Sequence, residues 1–415
     1  MSCAPAARLF TPAGLARRSS ARFVRSPSAG AHDGPTLSAR AHHRVEATQL
    51  LSAAGGLRMN RHSGTDDEGY THEPVMLDEI VELLTATPDG LVVDATVGGG
   101  GHAAALLSAS PGLHLLGIDR DPAAVSAARR RLDAFGSRAR VLPGRFDGLA
   151  AIVAEEAPEQ PVVAILFDLG VSSVQLDEGG RGFSYRFDAP LDMRMDPGDA
   201  ESAADLVNNW PEEELAALIA DNGEARFSRR IVRAIVANRP VGTTGELAEL
   251  VQAAIPAAAR QRRGHPAKRV FQALRIAVNQ ELELLGPALD QAVAMLAPKG
   301  RCAVLAYHSG EDRVVKDRFA QAADGWCSCP PGLPCVCGAV PAVRLLNRGA
   351  RMPSADEVAR NPRSSSARLR AVERLDTPLV RPMSTGDRRS YASKQTGSGR
   401  TSRRSSQRRR DGYSR

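Results

Sequence analysis

The apolar run Leu91-Val92-Val93 passes directly into Asp94-Ala-Thr-Val-Gly-Gly-Gly-Gly-His102, and Ala103–Leu107 then reads as a helix. A strand that turns through four glycines into a helix is a βα unit, and bare glycine backbone lets a ligand approach the turn closely. Three ligand classes are bound by such a turn: phosphate, a dinucleotide and S-adenosylmethionine. A Walker phosphate loop closes on Gly-Lys-Ser/Thr, because the lysine reaches the phosphates and the hydroxyl holds magnesium. Here His102-Ala103-Ala104 follows the glycines, so that reading fails. The spacing Gly98-x-Gly100-x-x-Ala103 satisfies the dinucleotide fingerprint, and Asp119 ends the next strand-like run, where an acid can hold ribose hydroxyls. An adenosylmethionine site uses the same geometry without a pyrophosphate, and Asp94 is a suitable acid for its amino-acid end. The loop by itself leaves both open.

The rest of the chain sets the architecture. Val75–Leu84 has helical spacing, while Leu91–Val93, Leu113–Ile118, Val162–Phe167 and Cys302–Ala306 are short apolar strands. Helix-like stretches at Ala123–Leu132 and Leu149–Glu156 alternate with them, which predicts a parallel, doubly wound sheet. Between Leu191 and Pro287 the strand signals stop, and Glu212–Ala220, Arg229–Ala237 and Glu246–Ala254 read as an inserted helical domain. The chain returns through helices at Val270–Leu285 and Leu289–Leu296 and turns at Pro298-Lys299-Gly300. The expected organisation is an N-terminal extension (1–66), a first core part (67–190), the insertion (191–287), a second core part with a cysteine-rich loop (288–376) and a disordered basic tail (377–415).

Charge is divided unevenly. Residues 381–415 carry eleven Arg/Lys against two Asp and residues 1–59 eight Arg against two acids, so the net +7 resides in the ends and the middle is acidic. If the core binds nucleic acid, it must do so through local patches. The Ala/Arg/Ser-rich first sixty residues are read as a disordered extension or an early start preceding Met59, ahead of an organelle transit peptide. No apolar run is long enough to span a bilayer. Of six cysteines, four crowd into WCSCPPGLPCVCG, unlike a disulfide framework spread through a small secreted domain. The compartment is therefore read as reducing. Cys327, Cys329, Cys335 and Cys337 suit a structural zinc ion, with a redox disulfide or unliganded thiols as alternatives.

Further strings occur in order: THEPVMLDE (Thr71–Glu79), DATVGGGGHA, FDLGVSSVQLD (Phe167–Asp177), GGRGFSYRFDAPLDMRMD (Gly179–Asp196), AYHSGEDRVVK (Ala306–Lys316) and NPRSSSARLRAVER (Asn361–Arg374). Together they resemble the bacterial 16S ribosomal RNA (cytosine-N4) methyltransferase family. Val174 stands where that family commonly has proline, and Gly310 where it commonly has leucine.

The resemblance implies a Rossmann-like class I methyltransferase sheet carrying an inserted helical substrate-recognition domain. It implies S-adenosylmethionine as cofactor, held by Gly100, Gly101, His102, Asp119, Phe146, Asp168 and Gln175. It further implies methylation of the exocyclic amine of a decoding-centre cytidine, with 16S rRNA or the small ribosomal subunit as partner, in the cytoplasm and without a membrane. The oligomeric state, homodimer included, is left open.

The cytosine amine is a poor nucleophile, because its lone pair is delocalised into the ring. Acceptors aimed at its hydrogens must restore nucleophilicity. Asp168, Ser172, Ser173 and His308 are the catalytic candidates, with Ser309, Glu311 and Asp312 available to line the same cleft. For RNA, Arg226, Arg229, Arg230 and Arg233 form one cationic cluster and Arg260, Arg262, Arg263, Lys268 and Arg269 a second. Trp210, Phe183 and Tyr185 offer stacking faces. A nicotinamide-dependent dehydrogenase and a nonenzymatic RNA-binding assembly factor are the rival readings.

Overall fold

The computed structural model describes residues 73–171, 175, 179–260, 265, 267–330 and 333–379. The expected N-terminal extension, Ser172, Ser173, Arg262, Arg263 and the tail from 380 onward lie outside the described residues.

The strands are β1 (Gly90–Asp94), β2 (Leu113–Asp119), β3 (Ala139–Pro143), β4 (Val162–Asp168), β5 (Leu296–Ala306), β6 (Val343–Leu345) and β7 (Arg368–Arg374). Among the described residues they form one sheet in the order β3-β2-β1-β4-β5-β7-β6. The first five are parallel, whereas β7 runs antiparallel to β5 and to β6. Successive residues of a strand face opposite sides, so a strand covered on both faces must be apolar throughout. In β1, Val93 packs into one layer and Val92 into the other. The first layer receives α4 (Leu149–Glu156), α11 (Glu281–Met295) and α12 (Ser309–Ala323) through Val153, Leu289 and Phe319. The second receives α1 (Leu77–Thr85), α2 (Gly101–Ala109) and α3 (Pro122–Leu132) through Leu84, Leu106 and Val125. The fold is the doubly wound α/β sheet expected from the sequence.

The insertion is helical as expected: α5 (Ala203–Asn209), α6 (Glu212–Ile219), α7 (Ser228–Ala237), α8 (Thr244–Ala254), α9 (Ala257–Arg260) and α10 (Ala267–Val278). Capping boxes start α5 at Ser202/Asp205 and α8 at Thr243/Glu246, satisfying backbone N–H groups that the first helical turn leaves unpaired. Leu206, Leu215, Ile231, Leu247 and Phe271 gather into a core separate from both faces of the sheet.

Three details depart from the sequence reading. The helix expected over Val270–Leu285 is broken: α10 stops at Val278, Gln280 has φ +51°, and α11 starts at Glu281. The buried Asn279 side chain occupies the break, accepting from Met195 N (2.9 Å) and donating to Met193 O (2.8 Å). Pairing of β5 with β4 begins at Leu296 and resumes at Arg301, skipping the expected turn, where Lys299 has φ +66°. Finally, β3, β6 and β7 were not foreseen as strands. β7 has alternating burial, and Arg370 on its outward side pairs with Asp312 of α12 (2.7 Å).

Candidate active site

In an open parallel sheet, ligands collect beyond the carboxyl ends of the strands, where the chain order reverses. Here that point lies between β1 and β4. Three of the strands around it end in an acid: Asp94 on β1, Asp119 on β2 and Asp168 on β4. Burial pushes the Asp94 carboxyl up to about 8 against a hydrogen bond from Thr96 N, and the charges of Asp168 and Asp119 add to the rise. Burial likewise raises Asp119, although its carboxylate accepts from the amides of Asp121 and Gly98, both at 2.9 Å. Carboxylates packed this way favour a cationic ligand and disfavour a pyrophosphate.

Asp168 is clasped from several strands. Its backbone N–H donates to Thr96 Oγ1 of the glycine loop (2.7 Å), and Leu169 N donates to Leu305 O (3.0 Å). The Tyr307 hydroxyl, just after β5, donates to Asp168 Oδ1 at 2.7 Å. Burial, then the neighbouring Asp168 charge, raise the Tyr307 phenol well above its ordinary value, so it stays a neutral donor. His102 Nδ1 faces Asp168 Oδ2 at 3.5 Å, while its Nε2 meets the Val75 carbonyl at 2.9 Å. A carbonyl only accepts, so Nε2 carries a hydrogen. His102 thus couples the Thr71–Glu79 string to Asp168 rather than capping α2. The Asp168 side chain keeps 28% of its surface exposed, enough to meet a substrate.

The glycines divide their work. Gly98 (φ +52°) and Gly100 (φ +76°) adopt left-handed backbone that a side chain resists. A Cβ on Gly98 would have only Thr96 O within 4 Å, at 3.9 Å, so the loop is open there. A Cβ on Gly100 would meet Ala128 Cα at 3.3 Å, and one on Gly101 would meet Pro74 Cγ at 2.5 Å. Gly101 is therefore required by protein packing, whatever its amide does toward a ligand.

Gln175 is buried and donates to Asp121 Oδ2 at 2.8 Å. Asp121 also caps α3 through Ala123 N (3.0 Å) and pairs with Arg181, whose other nitrogen donates to Arg194 O (3.0 Å) and Met195 O (2.8 Å). This buried network fastens the insertion to the end of β2. Phe146 stands edge-on to Phe167 with centroids 6.1 Å apart and remains partly exposed.

His308 is engaged locally at the start of α12. It is the N-cap of α12, its Nδ1 accepting from Gly310 N (3.2 Å) and Glu311 N (3.4 Å). Buried Glu311 accepts from Tyr307 N (2.7 Å) and His308 N (3.1 Å). Burial alone would raise Glu311, but His308 and Arg275 outweigh it and hold the carboxyl below its usual range. The pair therefore positions Tyr307 by fixing the strand end that carries it. Asp312 is spent on Arg368 and Arg370, a structural ion cluster. A Cβ on Gly310 would stand 3.1 Å from the His308 ring and 3.2 Å from Leu282 Cδ1, a tight fit for the leucine common in the resembling family.

In the insertion, Arg229, Arg230 and Lys268 are exposed. Arg233 reaches Glu212 at 3.5 Å, Arg269 pairs with Glu224 at 2.7 Å, and Arg226 lies over Phe227. Phe183 is a core residue of the insertion, contrary to its expected role as a stacking face. Tyr185 already stacks on His265 (4.6 Å), and Trp210 packs against the insertion core. Phe187, half exposed, is the aromatic the sequence reading passed over. Thr96, Tyr307, Asp121, Arg181 and Asn279 were also missed. Tyr307 and Arg181 lie inside quoted strings, but their partners are 139 and 60 positions away.

The profile of the MraW methylase family matches residues 69–375. A protein of Heliobacterium modesticaldum (strain ATCC 51547 / Ice1) named "Ribosomal RNA small subunit methyltransferase H" is 50% identical over 74% of this chain and 99% of its own. One of the same name from Thermobifida fusca (strain YX) is 51% identical over 74% of this chain and 94% of its own. A solved rRNA methylase from Streptococcus thermophilus covers 74% of this chain and 99% of its own, with 13% identity and a TM-score of 0.33, too distant to bear on the site.

Proposed function

The chain belongs to the MraW methylase family, and we propose that it transfers a methyl group from S-adenosylmethionine to the exocyclic N4 amine of a decoding-centre cytidine in 16S rRNA. The small-subunit rRNA substrate is supported by the names of the relatives at 50% and 51% identity. Cofactor choice is supported by the three strand-end acids around the glycine loop, which suit a sulfonium and an ammonium better than a pyrophosphate.

The cofactor supplies an electrophilic methyl group on a cationic sulfur. The chain supplies position and polarity. Asp119 accepts the ribose hydroxyls, Asp94 faces the amino-acid end, and Phe146 offers an apolar edge to the adenine. The amides of Gly100 and Gly101, with His102 and Gln175, complete the pocket.

Asp168 carries the reading. Held by the Tyr307 hydroxyl, with His102 Nδ1 3.5 Å away, and still partly exposed, it is an acceptor open to a substrate. Accepting an amine hydrogen from cytosine localises the nitrogen lone pair and raises its nucleophilicity. Tyr307 and His102 hold Asp168 in place, so no reorganisation accompanies the transfer. Ser172 and Ser173, on the segment that follows, are retained as further acceptors. Exposed Arg229, Arg230 and Lys268 grip phosphates and Phe187 stacks on a splayed base.

The test is calorimetry with S-adenosylmethionine and with NAD, followed by mass spectrometry of small-subunit RNA incubated with the enzyme and S-adenosylmethionine. N4-methylcytidine at one site, lost in Asp168→Asn, is expected. NAD binding in place of S-adenosylmethionine would restore the dehydrogenase reading. Cofactor binding with a methyl group on another atom would overturn the N4 assignment alone.

A further inference from the structure

The loop between α12 and β6 has no part in this transfer. Its base is closed by Trp326 N donating to Gln321 O (2.7 Å) and Ala342 N donating to Ala322 O (2.9 Å). Beyond that base the described residues contribute nothing to the cores; Leu333 is 65% exposed and Val336 88%. A loop of this length without secondary structure or buried side chains needs another tie.

The four thiols occupy the centre of the loop. Cys327, Cys335 and Cys337 form a nearly equilateral triangle of sulfurs, with edges of 3.6, 3.5 and 3.6 Å. All four sulfurs, Cys329 included, lie within 4.8 Å of one another. Sulfurs placed about 2.3 Å from one tetrahedral zinc stand about 3.8 Å apart, close to these edges. A disulfide would draw one pair to about 2.0 Å and leave the others apart, but this triangle gives no sulfur a preferred partner. We propose that Cys327, Cys329, Cys335 and Cys337 bind one structural zinc ion that ties the loop to the edge of the sheet.

A further observation fits a cation at the centre. Backbone amides point at the sulfurs, including Val336 N to Cys329 Sγ at 3.3 Å, as they do around metal-bound thiolates. The amides of Ser328 and Ala339 likewise reach Cys337, and that of Cys329 reaches Cys327. Thiolates this crowded repel one another, and a divalent ion removes the repulsion. Tetrahedral sulfur ligation suits zinc or iron; a closed set of four cysteine ligands in a structural loop is the ordinary setting of zinc.

The ion is remote from the acids of the site. α12 starts at the carboxyl edge of the sheet and runs 15 residues to the opposite edge, a span of about 22 Å. The four-thiol geometry does not rest on the methyl-transfer reading, and each can fail alone.

The full-length chain, purified under reducing conditions and dialysed against a chelator resin, is assayed by plasma mass spectrometry and X-ray absorption. One zinc per chain is expected, with four sulfur neighbours at about 2.3 Å. A mercurial that titrates the thiols should release that zinc to a chromophoric chelator. The Cys335→Ser/Cys337→Ser variant should lose it, while affinity for S-adenosylmethionine changes less than about threefold and hydrogen exchange over 326–346 accelerates. The mercurial release on the wild-type chain decides the matter if the variant fails to fold. Metal-free protein with four freely reactive thiols, bound iron, two disulfides by mass, or zinc retained when all four cysteines are serine would each overturn the proposal.

Discussion

Replacing Asp94 by asparagine should make this protein more stable near neutral pH and worse at holding its cofactor. Asp94 is 2% exposed, and burial raises its carboxyl from 3.8 to about 8. The folded-state value lies above the unfolded one, so the stability associated with Asp94 is complete below pH 3.8 and declines as pH rises toward 8. Within that window the unfolded chain has released the proton and the folded chain keeps it, which costs about 1.4 kcal/mol per pH unit. At pH 7 the accumulated cost is about 4 kcal/mol, which Asp94→Asn escapes because its amide does not titrate. Urea unfolding of both proteins, followed by circular dichroism at four pH values between 4.5 and 7.5, measures the difference directly. Titrations of groups common to both proteins cancel in that subtraction. The gap should widen with pH and close when S-adenosylmethionine saturates the wild-type chain, since a nearby ammonium lowers the Asp94 value. Cofactor affinity of the wild type should accordingly rise with pH up to about 8, by no more than tenfold per unit. Parallel stability curves for wild type and variant would refute the reasoning, because they would mean that Asp94 is already ionised in its buried site.

Other perturbations probe the remaining parts. Asp168→Asn should slow single-turnover methyl transfer by about 10²–10³-fold, with cofactor affinity by calorimetry changed far less. Equal losses in both would make Asp168 a cofactor ligand only. Arg181→Ala strands the buried Asp121 carboxylate and should lower stability by about 3 kcal/mol in thermal melts; an unchanged melt would show that water replaces the pair. Gly101→Ala forces a Cβ onto the Pro74 ring and should cost about 1–3 kcal/mol. Its folded fraction should still bind S-adenosylmethionine through the retained amide, and selective loss of binding would place the cofactor against the bare Gly101 Cα. Arg229→Glu with Arg230→Glu should weaken RNA binding and reduce the slope of log affinity against log salt by about 1–2. An unaltered slope would move the RNA contact elsewhere.

Much of the scaffold was readable along the chain. Val92 and Val93 must be buried on both faces, so an uninterrupted apolar run marked a central parallel strand. The insertion helices read at Glu212–Ala220, Arg229–Ala237 and Glu246–Ala254 start within two residues of α6, α7 and α8, whereas α5 was not foreseen. β7 escaped because its outward positions are charged, and only pairing with Asp312 and Arg301 makes them tolerable in a sheet. The break at Asn279-Gln280 escaped because hydrophobic spacing continues across it. His308 shows a role that its string did not disclose. Its string pointed to catalysis, while its imidazole turns inward to cap a helix.

The sequence by itself determined the βα order, the glycine loop, the strand-end acids and the four-cysteine loop, because each is set by residues within a few positions of one another. Only the tertiary structure decided what those groups do together. Thr96, His102, Asp168 and Tyr307 become one clasp because the sheet lays β4 between β1 and β5, joining residues 72 and 139 positions apart. The same layering buries Asp94 near Asp168 and Asp119 and raises its carboxyl to about 8, a value no local pattern reports. Local pattern reports which faces are apolar; burial and the distance between charges exist only once the layers have closed.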